Sequence, residues 1–331
     1  MSSGTATSYN DQTNATQVAA DNASNIAGKI VLTTGVSPGG TGAFFVETIA
    51  KYKPQLLILA GRSATKIQQT ADKIKADPAA EGVQVRTLVL DLGSQRQVRE
   101  AAKEVLAYPE DRIDVLVNSA GIMAGPHRTT EEGIELQFGT NHIGHFLFTN
   151  LIMEKILKSK TPRIVNVSSN GHRFSRVRFD DYNWQDGKTY DQWLAYSGSK
   201  TANILFTKSL AHKLGPKGLL TFSLHPGVIF DTSLAGADFS DEDWGALKAM
   251  DKALGHPLGE PDATFPLKNT NQGAATHVAA AFDTRLNAFN GAYLQDADLT
   301  DEIYPPATSH PEDVERCWEL SEQIVGQKFQ Y

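Results

Sequence analysis

The chain has 331 residues, 40% hydrophobic and 21% charged, enough to bury a sizeable core in one large α/β domain or two smaller ones. A net charge of -7 gives no broad electrostatic footing for nucleic acid or for an anionic membrane. A single cysteine, Cys317, excludes an intramolecular disulfide and a multi-cysteine zinc site; with no run of about 18 apolar residues and no signal-like start, a reducing, cytoplasmic setting without a membrane partner is expected.

Residues 1–27 are Ser, Thr, Asn, Ala and Asp without hydrophobic periodicity, which predicts a disordered polar tail. From Gly28 onward, short apolar runs alternate with amphipathic stretches. The runs are Lys29 to Thr34, Gln55 to Ala60, Val83 to Leu90, Ile113 to Val117, Arg163 to Val167 and Leu219 to Leu224. Each is strand-sized, continuous and rich in Val, Ile and Leu, the reading of strands whose two faces are both covered by helices. The predicted fold class is therefore α/β: a single-domain Rossmann fold spanning 28–331, a doubly wound parallel sheet with helices on both faces. Two long polar stretches, about 170–195 and 229–270, read as loops that carry function on such a sheet.

The first strand runs into Thr34-Gly35-Val36-Ser37-Pro38-Gly39-Gly40-Thr41-Gly42. A glycine-rich strand-to-helix turn lets backbone N–H groups approach a pyrophosphate without a Cβ in the way, so Gly35, Ser37, Gly39, Gly40, Thr41 and Gly42 are candidate cofactor residues; the bland alternative is an ordinary tight turn. Strand two ends in Arg62-Ser63, where a fold selecting NAD usually places an acid on the ribose hydroxyl. A base there suits a 2′-phosphate, hence NADP(H), although an arginine at a strand end is often only solvated. Strand three ends in Asp91-Leu92, where Asp91 either accepts from an adenine amine or caps the next helix.

Strand four closes in Asn118-Ser119-Ala120-Gly121, whose small residues leave room for a cofactor ring. Asn141 opens Asn-His-Ile-Gly-His-Phe, strand five closes in Ser168-Ser169, and strand six closes in His225-Pro226-Gly227. Tyr196 and Lys200 stand four apart, on one face of a predicted helix running to about Leu214. A phenol with an ordinary pKa of about 10 needs a neighbouring positive charge to pass protons near neutrality, which Lys200 could supply; alone, the pair also fits a solvated helix face. His142 and His145 have no acid or cysteine cluster at ligand spacing, so no metal is expected and packing or capping is the expectation. Trp184, Trp193, Phe230 and Trp244 lie in or beside the two loops, either lining an apolar substrate pocket or anchoring the loops.

Five such features, in the order of one fold, resemble the short-chain dehydrogenase/reductase family from Gly28 to about Gln295. The run Ala195-Tyr-Ser-Gly-Ser-Lys-Thr-Ala-Asn-Ile-Leu-Phe-Thr is similar to the branch containing retinol dehydrogenases and protochlorophyllide reductase, and the Gly-Val-Ser-Pro-Gly-Gly turn to fungal members. The resemblance implies catalysis by Asn141, Ser169, Tyr196 and Lys200. Tyr196 would pass a proton to a carbonyl oxygen, Ser169 would bond that oxygen, Lys200 would bind the nicotinamide ribose and lower the phenol pKa, and Asn141 would hold a relay water. It adds Asn118, Ala120, Gly121, Pro226, Gly227 and Val228 to the cofactor set, Val228 through its backbone. Two departures stand out: Gly35, Gly39 and Gly42 carry one residue more than the usual Gly-x-x-x-Gly-x-Gly, and Ser119 replaces a common asparagine. The membrane-binding start of many retinol dehydrogenases is also absent, which argues against retinoids within a bilayer.

The expected activity is an NADP(H)-dependent carbonyl reductase or alcohol dehydrogenase acting on a small-molecule ketone or alcohol, medium-sized and apolar or polyketide-like. The alternatives are a non-redox dehydratase or isomerase on the same fold and a dinucleotide-sensing module. The sequence leaves a homo-oligomer open.

Overall fold

The computed structural model describes residues 7–229, 234, 240–256, 267–300 and 310–331. Eight strands form one sheet in the order β3-β2-β1-β4-β5-β6-β7-β8: β1 (Ile30–Thr34), β2 (Leu56–Gly61), β3 (Gln84–Val89), β4 (Val115–Asn118), β5 (Arg163–Val167), β6 (Leu220–Leu224), β7 (Tyr293–Gln295) and β8 (Asp298–Leu299). All neighbours pair parallel except β7 with β8. The helices are α1 (Ala15–Asp21), α2 (Ala23–Ile26), α3 (Thr41–Ala50), α4 (Ala64–Ala76), α5 (Gln95–Leu106), α6 (Leu136–Phe138), α7 (Gly144–Leu151), α8 (Met153–Leu157), α9 (Gln192–Leu214), α10 (Asp241–Ala253), α11 (Thr270–Phe282) and α12 (Asp313–Val325).

Because side chains alternate along a strand, each central strand feeds two cores. Ile30, Leu32, Leu116 and Ile164 pack on one face with α5, α7, α9 and α12. Val31, Val115, Val117 and Val165 pack on the other with α1, α3, α4 and α11. This is the doubly wound, single-domain architecture that the continuous apolar runs predict. The strands too short to be read from the sequence are β7 and β8, joined through Asp296 and Ala297 at positive φ, the geometry of a tight hairpin. None of the described helices is long and apolar enough to cross a membrane.

The N-terminal segment departs from the expected disordered tail. From residue 7 it is part of the domain: α1 lies against α11 and α3, and Tyr9, Ala15, Val18, Ala19 and Ile26 are buried. The Thr7 N–H donates to both carboxylate oxygens of Asp298 at 3.1 Å, and the Tyr9 hydroxyl donates to Asp21 at 3.0 Å. Few apolar residues suffice because α11 offers an alanine-rich surface, Ala274, Ala275, Ala279 and Ala281, on which a small-residue helix packs closely.

The first predicted loop holds a 3-10 turn, Asn170–Phe174, before α9 begins. The second holds α10; Phe230 and much of the remainder lie outside the described residues.

Candidate active site

The strand order reverses between β1 and β4, and open α/β sheets bind ligands at such a switch, beyond the carboxyl ends of their strands. A cleft of about 1080 Å³ lies there, walled by the ends of β1 to β6. Pockets for drug-sized ligands run to about 300–1,000 Å³, so this cleft is at the large end, as a dinucleotide site requires.

The glycine turn is built for close approach. Gly35 has φ +76°, and a Cβ on it would stand 2.5 Å from the Ala120 Cα; a Cβ on Gly42 would stand 2.7 Å from the Gly35 carbonyl oxygen. The extra residue is absorbed in the bend where the Gly40 N–H donates to the Ser37 carbonyl at 3.1 Å, with Gly39 at φ +81°. Gly40 caps α3 with no side chain on the helix end, so its leading N–H groups remain available to phosphate oxygens. This arrangement fits a dinucleotide.

Thr34 ties the turn to β4. Its Oγ1 accepts from the Ser119 and Ala120 N–H groups, both at 3.0 Å, and meets His145 Nε2 at 2.9 Å. The other ring nitrogen, Nδ1, lies 2.9 Å from the Asn141 carbonyl, which can only accept. Nδ1 therefore carries the proton and the threonine hydroxyl donates to Nε2. Burial lowers the His145 pKa to about 4, which keeps the ring neutral. His142 packs among Phe138, Phe146 and Phe206 and bonds Ser321; both histidines thus serve packing and capping, as expected.

Beyond the ends of β2 and β3, Arg62, Ser63, Asp91 and Leu92 line the cleft, joined by Lys66 and Gly93. Arg62 is exposed, with no ion-pair partner among the described residues. Ser63 caps α4 through the Lys66 N–H. Asp91 does not cap α5: that cap is Ser94, leaving Asp91 with one oxygen on the Gly93 N–H at 2.9 Å.

Tyr196, Lys200 and Ser169 meet under the cleft. Asp191 caps α9 by accepting from the Trp193 and Leu194 N–H groups, and the helix then runs buried against β5, with Tyr196 7% and Lys200 3% exposed. Burial pushes the Tyr196 phenol up to about 12, opposed only by its bond with Ser169. The same burial brings Lys200 down to about 8. Lys200 Nζ donates to the Val167 carbonyl at 3.2 Å and stands 5.5 Å from the Tyr196 ring centre. The ammonium thus stands beside the phenol in a shared desolvated floor, with its hydrogen bond going to backbone.

Ala120, Gly121, Pro226, Gly227 and Val228 all line the cleft with the glycine turn. The Val228 carbonyl is taken by the Lys268 N–H at 2.9 Å, part of a parallel bridge between Val228 and Leu267. Two predicted residues do not reach the cleft wall. Asn118 is 1% exposed and donates to Thr149 at 3.0 Å and Asn166 at 2.8 Å, locking β4 to β5. Asn141 is fully buried in a π-helical turn, where its side chain bonds both backbone groups of Ile122 and the Ser199 hydroxyl. Both side chains are spent on holding the walls.

The far side of the cleft is apolar, with Met123, Phe174, Trp193, Ile229, Trp244 and Leu247. Trp184 is not part of it; Arg178 stacks on its ring at 4.1 Å and it anchors a turn of positive-φ residues. The sequence reading missed Arg173 and Lys268, both in the cleft wall. Arg173 carried no local signal, since its partner Asp251 is 78 residues away. Lys268 stands directly before the capping box of Asn269 and Gln272, a helix start that could have marked it.

Comparison with known proteins agrees with this geometry. The short chain dehydrogenase family profile matches residues 29–183. Human retinol dehydrogenase 13 is 34% identical over 306 residues, covering 91% of this chain and 86% of its own length. The short-chain dehydrogenase/reductase prx1 of Penicillium roqueforti is 34% identical over 320 residues, covering 92% and 87%. A crystal structure of an uncharacterised protein from Mycobacterium paratuberculosis superimposes with a TM-score of 0.68 at 29% identity, over 94% of this chain and 99% of that one. A dinucleotide cleft at the switch point, a serine–tyrosine–lysine set beneath it and these relatives lead to one conclusion: the chain belongs to the short-chain dehydrogenase/reductase family, in its retinol dehydrogenase-like branch, and is an oxidoreductase built to bind a nicotinamide dinucleotide.

Proposed function

We propose that the protein is an NADP(H)-dependent carbonyl reductase or alcohol dehydrogenase acting on a medium-sized apolar or polyketide-like ketone or alcohol. The observation that carries this reading is the pairing of the Tyr196 phenol with Ser169 in the cleft floor, opposite an aromatic wall and with Arg62 open at the far end.

The cofactor supplies or accepts the hydride. The turn from Gly35 to Gly42, with Ser37 and Thr41, would cradle its pyrophosphate; Arg62 and Ser63 would take the 2′-phosphate; Asp91 and Leu92 would border the adenine; Pro226, Gly227 and the Val228 backbone would flank the nicotinamide. Ser169 donates to the substrate carbonyl oxygen and holds it at the Tyr196 hydroxyl. Burial holds the phenol in its protonated form at neutral pH, the form that can give a proton to the oxygen during reduction. Lys200 places its charge under the ribose and beside the phenol. Asn141 would hold a water of the proton relay, from a π-turn of the kind found at functional sites. The substrate body would lie against Phe174, Trp193 and Trp244.

The sensor alternative drew its support from the lengthened glycine turn. Gly35 and Gly42 keep their close packing despite the extra residue, so that support is lost. The test is fluorescence titration with NADPH and NADH, then loss of reduced-cofactor absorbance against a panel of ketones and quinones. Tight NADPH binding with turnover is the expected result; binding without turnover of any carbonyl overturns the proposal in favour of sensing or non-redox chemistry.

A further inference from the structure

Helix α10 is attached to the domain in an unusual way. Of its 13 residues, Asp251 alone is buried, so a carboxylate takes the place that an apolar stripe normally fills in a docked helix. Its local structure is self-sufficient: Ser240 and Asp243 form a reciprocal capping box, with Gln192 donating to Asp243 at 3.4 Å as a second tether. The cleft-facing residues of this helix are Trp244 and Leu247.

Asp251 is fully buried and its partner Arg173 nearly so. Arg173 Nε and Nη2 donate to the two carboxylate oxygens at 2.6 and 2.7 Å, and Nη1 donates to the Asn170 carbonyl at 2.6 Å. Asn170 directly follows Ser169 and caps its own position by bonding Gln295 at 2.6 Å and accepting from the Tyr293 hydroxyl at 2.8 Å. The guanidinium therefore joins the backbone beside the catalytic serine to the helix that carries the far cleft wall. A bidentate fork fixes distance and orientation together, and a buried ion pair is retained more readily for position than for stability.

We propose that Arg173 and Asp251 are positioning residues that pin α10 as the roof of the substrate half of the cleft and register it against Ser169, so that bulky apolar substrates depend on the pair and small ones do not. The specificity part rests on the oxidoreductase reading above; the pinning part does not.

The test is peptide-level hydrogen exchange on the full chain with Asp251→Asn and Arg173→Lys, which keeps a charge and loses the fork, alongside NADPH titration and steady-state kinetics. In either variant that folds, α10 amides should exchange at least about tenfold faster, with α9, β5 and NADPH affinity unchanged. In Asp251→Asn, whose site lies outside the cleft lining, KM for a bulky aromatic ketone should rise about tenfold or more while that for a small aliphatic ketone barely moves. Unchanged protection of α10 in both variants overturns the proposal, as does an equal loss of protection across α9 and β5, which would make the pair a prop of the whole core. A wild-type chain that reduces no carbonyl refutes the functional reading, while exchange in α10 still decides the pin.

Discussion

Thr34→Val tests whether one hydroxyl joins the cofactor turn to the catalytic half of the site. The substitution keeps the shape and removes three hydrogen bonds. The Ser119 N–H retains the Val117 carbonyl at 3.1 Å, so two groups are orphaned: the part-buried Ala120 N–H and the buried His145 Nε2. Each unsatisfied group costs about 1–3 kcal/mol, offset in part by the added methyl, for a net loss of about 2–4 kcal/mol. With 331 residues and about 2.1 cal/mol/K of unfolding entropy per residue, this lowers Tm by about 3–6 °C. Ala120 and Gly121 also lose their anchor beside the cofactor, so NADPH affinity should fall. Thr34→Ser keeps the hydroxyl and serves as the control, with affinity near that of the wild type. Thermal melts and NADPH titration on the three proteins decide the matter. A Thr34→Val protein with unchanged Tm and affinity would refute the reasoning.

Tyr196→Phe removes the proton donor and should reduce kcat by about 10²-fold or more with NADPH affinity nearly unchanged; equal loss of both would make the tyrosine structural. Arg62→Ala should weaken NADPH by about ten- to a hundredfold, the worth of a charge-assisted bond, and leave NADH unaffected; parallel titrations with both cofactors check this, and equal weakening would sink the 2′-phosphate assignment. Lys200, with its pKa lowered to about 8, is charged below that value and neutral above it. The phenol, near 12, stays protonated across the same range. The kcat/KM for carbonyl reduction should therefore hold at pH 6–7.5 and decline as pH rises through about 8, and a flat profile to pH 9.5 would show that the lysine charge is not required.

The parts of the site that were legible in the sequence are those fixed by short spacing. Tyr196 and Lys200 are held four apart by the helix itself, and the Gly35–Gly42 turn is marked by residues that backbone geometry demands. Both follow from local rules, so both survive folding unchanged. What spacing could not reveal is which way a buried amide points. Asn118 and Asn141 occupy family positions, yet their side chains bond Thr149, Asn166, Ile122 and Ser199, partners that tertiary packing alone supplies. The N-terminal tail was misread for a related reason: its few apolar residues are insufficient by themselves and become sufficient only against the alanine face of α11.

Charge in loops is the hardest signal to read, because a solvated arginine and a buried one look the same in a polar stretch. Arg62 and Arg173 illustrate the two fates. Arg62 ends a strand, faces the cleft and stays open to solvent, as its position beyond β2 suggests. Arg173 lies in a segment whose composition reads as exposed, and its burial follows only from a carboxylate 78 residues later, on a helix whose apolar residues Trp244 and Leu247 face the cleft. Neither member of that pair can be buried alone, because an uncompensated charge costs several kcal/mol. Their joint burial beside Ser169 therefore marks α10 as part of the site, even though nothing within α10 itself resembles a functional motif.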